Sequence, residues 1–289
     1  GSSCLAQTKT AFKFQRSRRC LRNMSRKNEN RPYEPVDTNY GGEPGTYGGR
    51  QELSAITDIN VRHGFIRKVF AILAVQLIVT TIIATATCQA FAHVDQRNPP
   101  ASLMILQTLA LAASVGTMLS LCCCPHVMRE YPTNYMVLGI FTLGEAVLVG
   151  IICSQYTAQS VLVAFGLTAF IVTALMLFAC QTKYDFTGLM PYFYIATLIL
   201  FGLSVVLSFA SMFGASQTGP YRTMYLLYAG AGALLFSGYI VLDTQLIIGG
   251  KNASMQIGID DYCLAALNIY LDIIQLFLFI LQLLGDRRD

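Results

Sequence analysis

The chain has 289 residues, of which 54% are hydrophobic and only 12% are charged, and its formal net charge is +4. A soluble domain carries about 25% charged residues, so this low charge density argues against a water-soluble globular protein. The positive excess lies mainly between Lys9 and Arg31, where nine Lys or Arg accompany one acid. Because the chain shows no folded basic domain and no interleaved aromatic and basic residues, we expect no nucleic-acid partner.

The first 60 residues differ in composition from the rest of the chain. The basic stretch is followed by a segment rich in proline, glycine and tyrosine, PYEPVDTNYGGEPGTYGG. Neither part has a hydrophobic period, so we predict that residues 1–60 form a disordered cytosolic tail. Residues 61–289 are then a single membrane domain.

Seven apolar runs make up that domain, each near or above the roughly 20 residues that a membrane-spanning helix needs. The connections between the runs are short and leave no room for an extramembrane domain. The sequence therefore predicts an all-α polytopic membrane protein that lies in a lipid bilayer. The predicted spans are Val69–Ala92, Ser102–Cys124, Asn134–Cys153, Ser160–Gln181, Gly188–Met212, Thr223–Gly249 and Cys263–Leu284.

The last run is interrupted by four strongly polar residues: Asn268, Asp272, Gln275 and Gln282. Such a segment is expected to be central and surrounded by protein, or else re-entrant. The distribution of Lys and Arg beside the spans favours a cytosolic N-terminus. The terminal Asp-Arg-Arg-Asp argues weakly against a last helix that crosses completely. With that orientation the cytosolic side receives Arg62, Arg67, Lys68, Arg129, Lys183 and Lys251.

Three acids lie inside the apolar runs: Glu145, Asp243 and Asp272. An ionisable side chain in hydrocarbon costs at least about 2.5 kcal/mol, so these acids are the candidate functional residues. The sixth and seventh runs form a hairpin, which places Asp243 and Asp272 within one helical turn of the same depth. Two carboxylates this close in a low dielectric would share a proton, which makes them a pH-sensitive element. A cation path lined by acids explains the three residues better than simple fastening of helices does.

Arg129 precedes the third run on the predicted cytosolic side. It could reach inward to pair with Asp243 or Asp272, or it could be a positive-inside anchor beside Glu130. The nine cysteines contain no CxxC pair, and six of them lie in or at the ends of apolar runs. Buried thiols that behave as small hydrophobes account for this distribution, so we expect no disulfide framework, no tightly bound metal and no cofactor.

Two aspartates on adjacent membrane helices also suggest an intramembrane aspartyl protease. That class pairs Tyr-Asp with Gly-x-Gly-Asp, whereas the contexts here are VLDTQ and YLDII, so the second motif is absent. No serine-protease motif is present, and all three histidines lie outside the spans. We therefore expect no enzyme activity, and a peptide cleavage assay would test the protease alternative.

Five segments of the membrane region are distinctive: VRHGFIRKVFAILAVQLIVT, FTLGE, QTKYDFTG, GYIVLDTQLIIGGK and DDYCLAALNIYLDIIQLFLFILQLLG. They resemble the transmembrane Bax inhibitor motif family, in its lifeguard branch. The similarity covers essentially the whole membrane region and leaves out the tail.

The resemblance implies a bundle in which six helices wrap around a central last helix. It also implies calcium leak across intracellular membranes, of the endoplasmic reticulum or Golgi with the plasma membrane as an alternative, and suppression of cell death. A di-aspartyl pH sensor falls on Asp243 and Asp272, Arg129 would gate by pairing with one of them, and Glu145 would attract the cation. Calcium would bind these acids only in transit. The alternative function is a non-transporting scaffold that acts through cell-death regulatory proteins.

Overall fold

The computed structural model describes residues 47–92, 94, 99–123, 125–214, 218–249 and 257–288. These residues form seven long α-helices, each with a stretch long and apolar enough to cross a membrane. The predicted all-α polytopic class is confirmed. The helices are α1 (Tyr47–Ala90), α2 (Ala101–Cys123), α3 (Thr133–Cys153), α4 (Ala158–Gln181), α5 (Met190–Met212), α6 (Gly219–Ile248) and α7 (Tyr262–Leu284).

Six of the predicted runs agree with helices α2 to α7 to within a few residues at each end. The first does not, because α1 begins at Tyr47 and so includes residues 47–60, which the sequence analysis assigned to the tail. A helix that is already nucleated in the membrane extends at little cost into a polar segment without Pro, and hydropathy does not detect such an extension. The remainder of the predicted tail lies outside the described residues.

Helix α7 occupies the centre of the bundle. In its most apolar window 94% of the residues are buried, against 17–61% for the other six helices. It packs directly against α1, α3, α4 and α6, while α2 packs mainly on α3 and α5 mainly on α6. The predicted central last helix is therefore confirmed. Its polar residues are tolerated because they face protein rather than lipid.

The last helix is also long and apolar enough to cross the bilayer completely. Its 23 residues span about 34 Å, which exceeds the roughly 30 Å of the hydrocarbon core. Beyond its C-terminal end, the backbone of Asp286 and Arg288 bonds the loop between α3 and α4, at N···O distances of 3.0 and 2.9 Å. Helices α1, α3 and α7 thus begin on one side, called here the N-terminal side, and end on the far side.

The two arginines that argued against a full crossing have protein partners on the far side. The guanidinium of Arg287 lies over the rings of Tyr156 and Tyr225, at 5.8 and 5.9 Å from their centroids. Burial has the largest single effect on the pKa of Arg287 and lowers it, but hydrogen bonds and electrostatic interactions with Tyr156 and Tyr225 together raise it by more, so the net shift is upward. Arg288 Nη1 donates to the carbonyl of Ala92 at 2.9 Å. These charges serve internal contacts, so they say little about orientation.

Candidate functional site

Asp243 and Asp272 lie on facing surfaces of α6 and α7. The rings of Phe236 on α6 and Phe279 on α7 stack with centroids 5.7 Å apart. Asp243 follows Phe236 by seven residues, and Asp272 precedes Phe279 by seven. Seven residues are close to two helical turns, so each aspartate shares the face of its phenylalanine and lies about 10 Å from the ring pair. Both are fully buried, and the two antiparallel helices place them at the same depth to within about a turn.

Between the two aspartates and the far side of the membrane, aromatic rings fill the α6–α7 interface. A Cβ on Gly232 would come within 2.5 Å of the Phe279 ring, so the glycine allows the ring to lie directly on the α6 backbone. Tyr228 adds an edge contact to Phe279 with centroids 5.4 Å apart. In this conformation the two carboxylates are separated from the far side by a closely packed aromatic layer.

A second polar cluster lies on the opposite face of α7. Tyr270 precedes Phe279 by nine residues, or two and a half turns, and so points away from α6. Its hydroxyl is 2.9 Å from Thr80 Oγ1 on α1. One turn away on α1, Gln76 Nε2 donates to Thr142 Oγ1 on α3 at 3.0 Å. These bonds join α1, α3 and α7 at mid-membrane.

Glu145 belongs to this second cluster and not to the aspartate pair. Its side chain is 1% exposed, and it lies close enough to Tyr270 to interact with its hydroxyl electrostatically. On its other side it faces Ser114 of α2. Its Oε1 has no hydrogen-bond partner among the described residues. The structure thus brings Asp243 and Asp272 together and places Glu145 on the other side of the central helix.

Arg62 is the site residue that the sequence analysis missed. Its guanidinium donates to three carbonyls: Leu246 at 2.9 Å, Ile248 at 3.2 Å and Ile257 at 2.9 Å. It therefore caps the C-terminal end of α6, within a turn and a half of Asp243, and ties it to the residues that lead into α7. The sequence showed Arg62 only as one of several basic residues beside the first span. The sequence gives no local signal for this role of Arg62, because the role depends on how α1 packs against the α6–α7 hairpin.

Arg129 binds a different aspartate from the two that the sequence analysis considered. Its Nε and Nη2 donate to Asp261 Oδ1 and Oδ2 at 2.6 and 2.9 Å. The hydrogen bond to Asp261 raises the pKa of Arg129, so the guanidinium stays charged at every relevant pH. Asp261 immediately precedes α7, whereas Asp272 lies about 16 Å further along that helix, which is out of reach from the α2–α3 loop. A gating role for Arg129 stays a prediction.

The Arg129–Asp261 pair should contribute only modestly to stability. The side chains are 48% and 19% exposed, and ion pairs at such positions contribute about 0.2–1 kcal/mol. A double-mutant cycle with Arg129→Gln and Asp261→Asn, followed by thermal unfolding, should give a coupling energy in that range that falls as salt rises. A salt-independent coupling several times larger would show that the pair is effectively buried.

The fold and the site together define a polytopic membrane protein with ionisable side chains enclosed around its central helix. A family model described as "Inhibitor of apoptosis-promoting Bax1" matches residues 62–289. The chain is 34% identical to human Protein lifeguard 3 over 267 residues, which covers 89% of this chain and 81% of that protein. It is 33% identical to mouse Protein lifeguard 3 over 264 residues, covering 89% and 81%. It is 35% identical to a BI1-like protein of Arabidopsis thaliana over 240 residues, covering 78% and 83%. The chain therefore belongs to the Bax1-inhibitor family, and the predicted resemblance is confirmed.

Proposed function

We propose that this protein is a pH-sensitive calcium leak channel, or channel-like transporter, of the endoplasmic reticulum or Golgi membrane, and that its leak suppresses cell death. The observation that supports this proposal is the pair of fully buried aspartates on the facing surfaces of α6 and α7. Two such groups at one depth are costly to ionise together in a low dielectric. A shared proton or a passing divalent cation relieves the repulsion between them.

Competition between protons and calcium for these carboxylates provides the pH dependence. When the pair holds a proton, its affinity for a cation falls, because a neutral carboxyl is a weaker ligand for calcium. When both groups are ionised, their repulsion favours either a cation between them or separation of α6 from α7. Separation would also disturb the aromatic layer around Phe279, which is the barrier between the carboxylates and the far side. With the N-terminus in the cytosol, Asp243 and Asp272 would be the cytosolic-side sensor of that barrier.

Calcium flux into liposomes tests the proposal. The variants are Asp243→Asn and Asp272→Asn, and the matched control is Asp260→Asn, which removes an exposed acid at the same end of α7. Each interface variant should lower the flux about tenfold, as expected if one lost charge raises the barrier by about 1.4 kcal/mol. Each should also change the pH response, while the control keeps both properties of the wild type. Unchanged flux and pH response in both interface variants would rule out this mechanism.

The alternative is a membrane scaffold that suppresses cell death through protein partners without transport. The description of the matching family model, which names inhibition of an apoptosis-promoting protein, is the finding that favours it. The same liposomes separate the two functions, because a scaffold reconstituted without partners gives no calcium flux even as the wild type.

A further inference from the structure

A groove of about 560 Å³ runs between α1 and α3 on the outer surface of the bundle. From Lys68 to Val79 it extends about 16 Å into the membrane, starting at the N-terminal side. Its rim is apolar and faces the bilayer, with Val75 60% and Leu143 50% exposed. The volume is in the range of about 300–1,000 Å³ that is typical of small-molecule sites, and the proposed calcium pathway does not use it.

We propose that this groove binds one anionic glycerophospholipid, with an acyl chain along the apolar rim and the phosphate at Lys68. Lys68 is exposed at the N-terminal-side end of the groove, where the headgroups of that leaflet lie. The site therefore combines a cation at headgroup depth with an apolar channel below it. A lysine at the mouth also repels calcium, so the groove suits an anionic lipid and not the transported ion.

Aromatic side chains hold Lys68 in place. Its Nζ lies 3.3 Å from the centroid of the Tyr262 ring. Tyr135 packs against Tyr262 and against Tyr131, with centroids 6.2 and 6.1 Å apart. Tyrosines of this kind concentrate at membrane interfaces. The cluster fixes the ammonium group at headgroup depth, and Lys68 has no carboxylate partner among the described residues, so its charge is available to a phosphate.

The floor of the groove is polar at one point and leads to the central helix. Gln76 is 4% exposed and lines the groove, and its Oε1 has no hydrogen-bond partner among the described residues. A buried acceptor without a donor is costly, and a water molecule enclosed beneath the acyl chain would supply the donor. The carbonyl of Gln76 accepts from Thr80, whose hydroxyl also contacts Tyr270 of α7. These hydrogen bonds connect the helix segment that forms the floor of the groove with α7.

Spin-labelled lipids test the site directly in bilayers that contain the full chain. Phosphatidylglycerol and phosphatidylcholine, each labelled on an acyl chain, report the number of motionally restricted lipids and their relative association constants. Wild type should prefer the anionic lipid at one site. Lys68→Gln should reduce that preference about fivefold, since one lysine near an anionic surface contributes about 1 kcal/mol. The control Lys183→Gln, an exposed lysine in the α4–α5 loop, should leave it unchanged.

Filling the groove provides an independent variant. A Cβ on Gly139, which lines the groove, meets no atom within 4 Å, and the same holds for Gly166 on the exposed surface of α4. Gly139→Leu should therefore fold normally and remove one restricted anionic lipid per chain, whereas Gly166→Leu should not. Equal association of both lipids with wild type, or equal loss in both glycine variants, would mean ordinary annular lipid and would overturn the proposal. If Gly139→Leu instead changed the oligomeric state with no change in lipid count, the occupant would be a second copy of this chain, which also overturns it.

Discussion

Replacement of Arg62 by alanine should be among the most destabilising single changes on the N-terminal side of the bundle. The guanidinium donates to Leu246, Ile248 and Ile257, and the first two of these carbonyls belong to the last turn of α6, where no helical donor remains. Hydrogen bonds from a charged donor contribute about 1.5–3 kcal/mol each. Because Arg62 is only partly buried, we expect a total loss of about 2–4 kcal/mol.

Thermal unfolding and hydrogen exchange measure this loss. The exchange of backbone amides in residues 245–249 should increase most, because the end of α6 frays when its carbonyls lose the charged donor and Leu246 keeps only the amide of Ile257. Arg62→Lys should be intermediate, since a single ammonium cannot reproduce the planar fork that reaches three carbonyls. Arg67→Ala is the matched control, as Arg67 is exposed on the same helix. If both alanine variants unfold at the same temperature, the cap contributes nothing.

The same change should affect function, because Leu246 and Ile248 follow Asp243 by three and five residues. The depth of Asp243 relative to Asp272 depends on a regular helix up to that end. A frayed α6 would let water approach Asp243 and weaken the electrostatic coupling of the two carboxylates. We therefore expect the calcium flux of Arg62→Ala to keep less of its pH response than that of Arg67→Ala.

The sequence was sufficient to predict the spans and the central position of α7. The spans follow from the length of each apolar run. The polar residues Asn268, Asp272 and Gln275 restrict the last run to a central or a re-entrant position, and the family resemblance implied the central one. The extension of α1 to Tyr47 was not predictable in the same way, because helix propensity in a polar segment gives no hydropathy signal. The far-side position of the end of α7 does not follow from the sequence, because residue type alone does not show that Arg287 is a partner of aromatic rings.

The arrangement of the site could be predicted only in part for a related reason. A hairpin relates Asp243 to Asp272 by residue numbers alone, so their matched depth follows from local geometry. Two other features depend on how helices distant in sequence are arranged around α7. They are the face of α7 that Glu145 contacts and the carboxylate that pairs with Arg129. The rotation of each helix about its own axis is known only once one contact between helices, such as Phe236 on Phe279, shows which face of each helix points to the other.

A bulky residue at position 150 should have the other large effect, by separating α1 from α3. A Cβ on Gly150 would lie 2.6 Å from Thr87 Cβ, 2.8 Å from Ala84 O and 3.0 Å from Ala84 Cα. Two of these atoms are backbone, which cannot move aside as a flexible side chain can. Small residues at helix interfaces allow this close approach in membranes, where packing rather than hydrophobic exclusion drives association. Gly150→Ala should cost about 1–3 kcal/mol, and Gly150→Val should cost more.

The matched control lies on the same helix. Gly139→Val introduces the same side chain at a position where a Cβ meets nothing within 4 Å, so differences in helix propensity cancel between the two variants. Thermal unfolding and the yield of monodisperse protein should separate them clearly. Because α1 and α3 also share the Gln76–Thr142 bond, Gly150→Val should increase amide exchange around that bond as well. Equal stability of the two valine variants would show that α1 and α3 do not depend on the close approach that Gly150 allows.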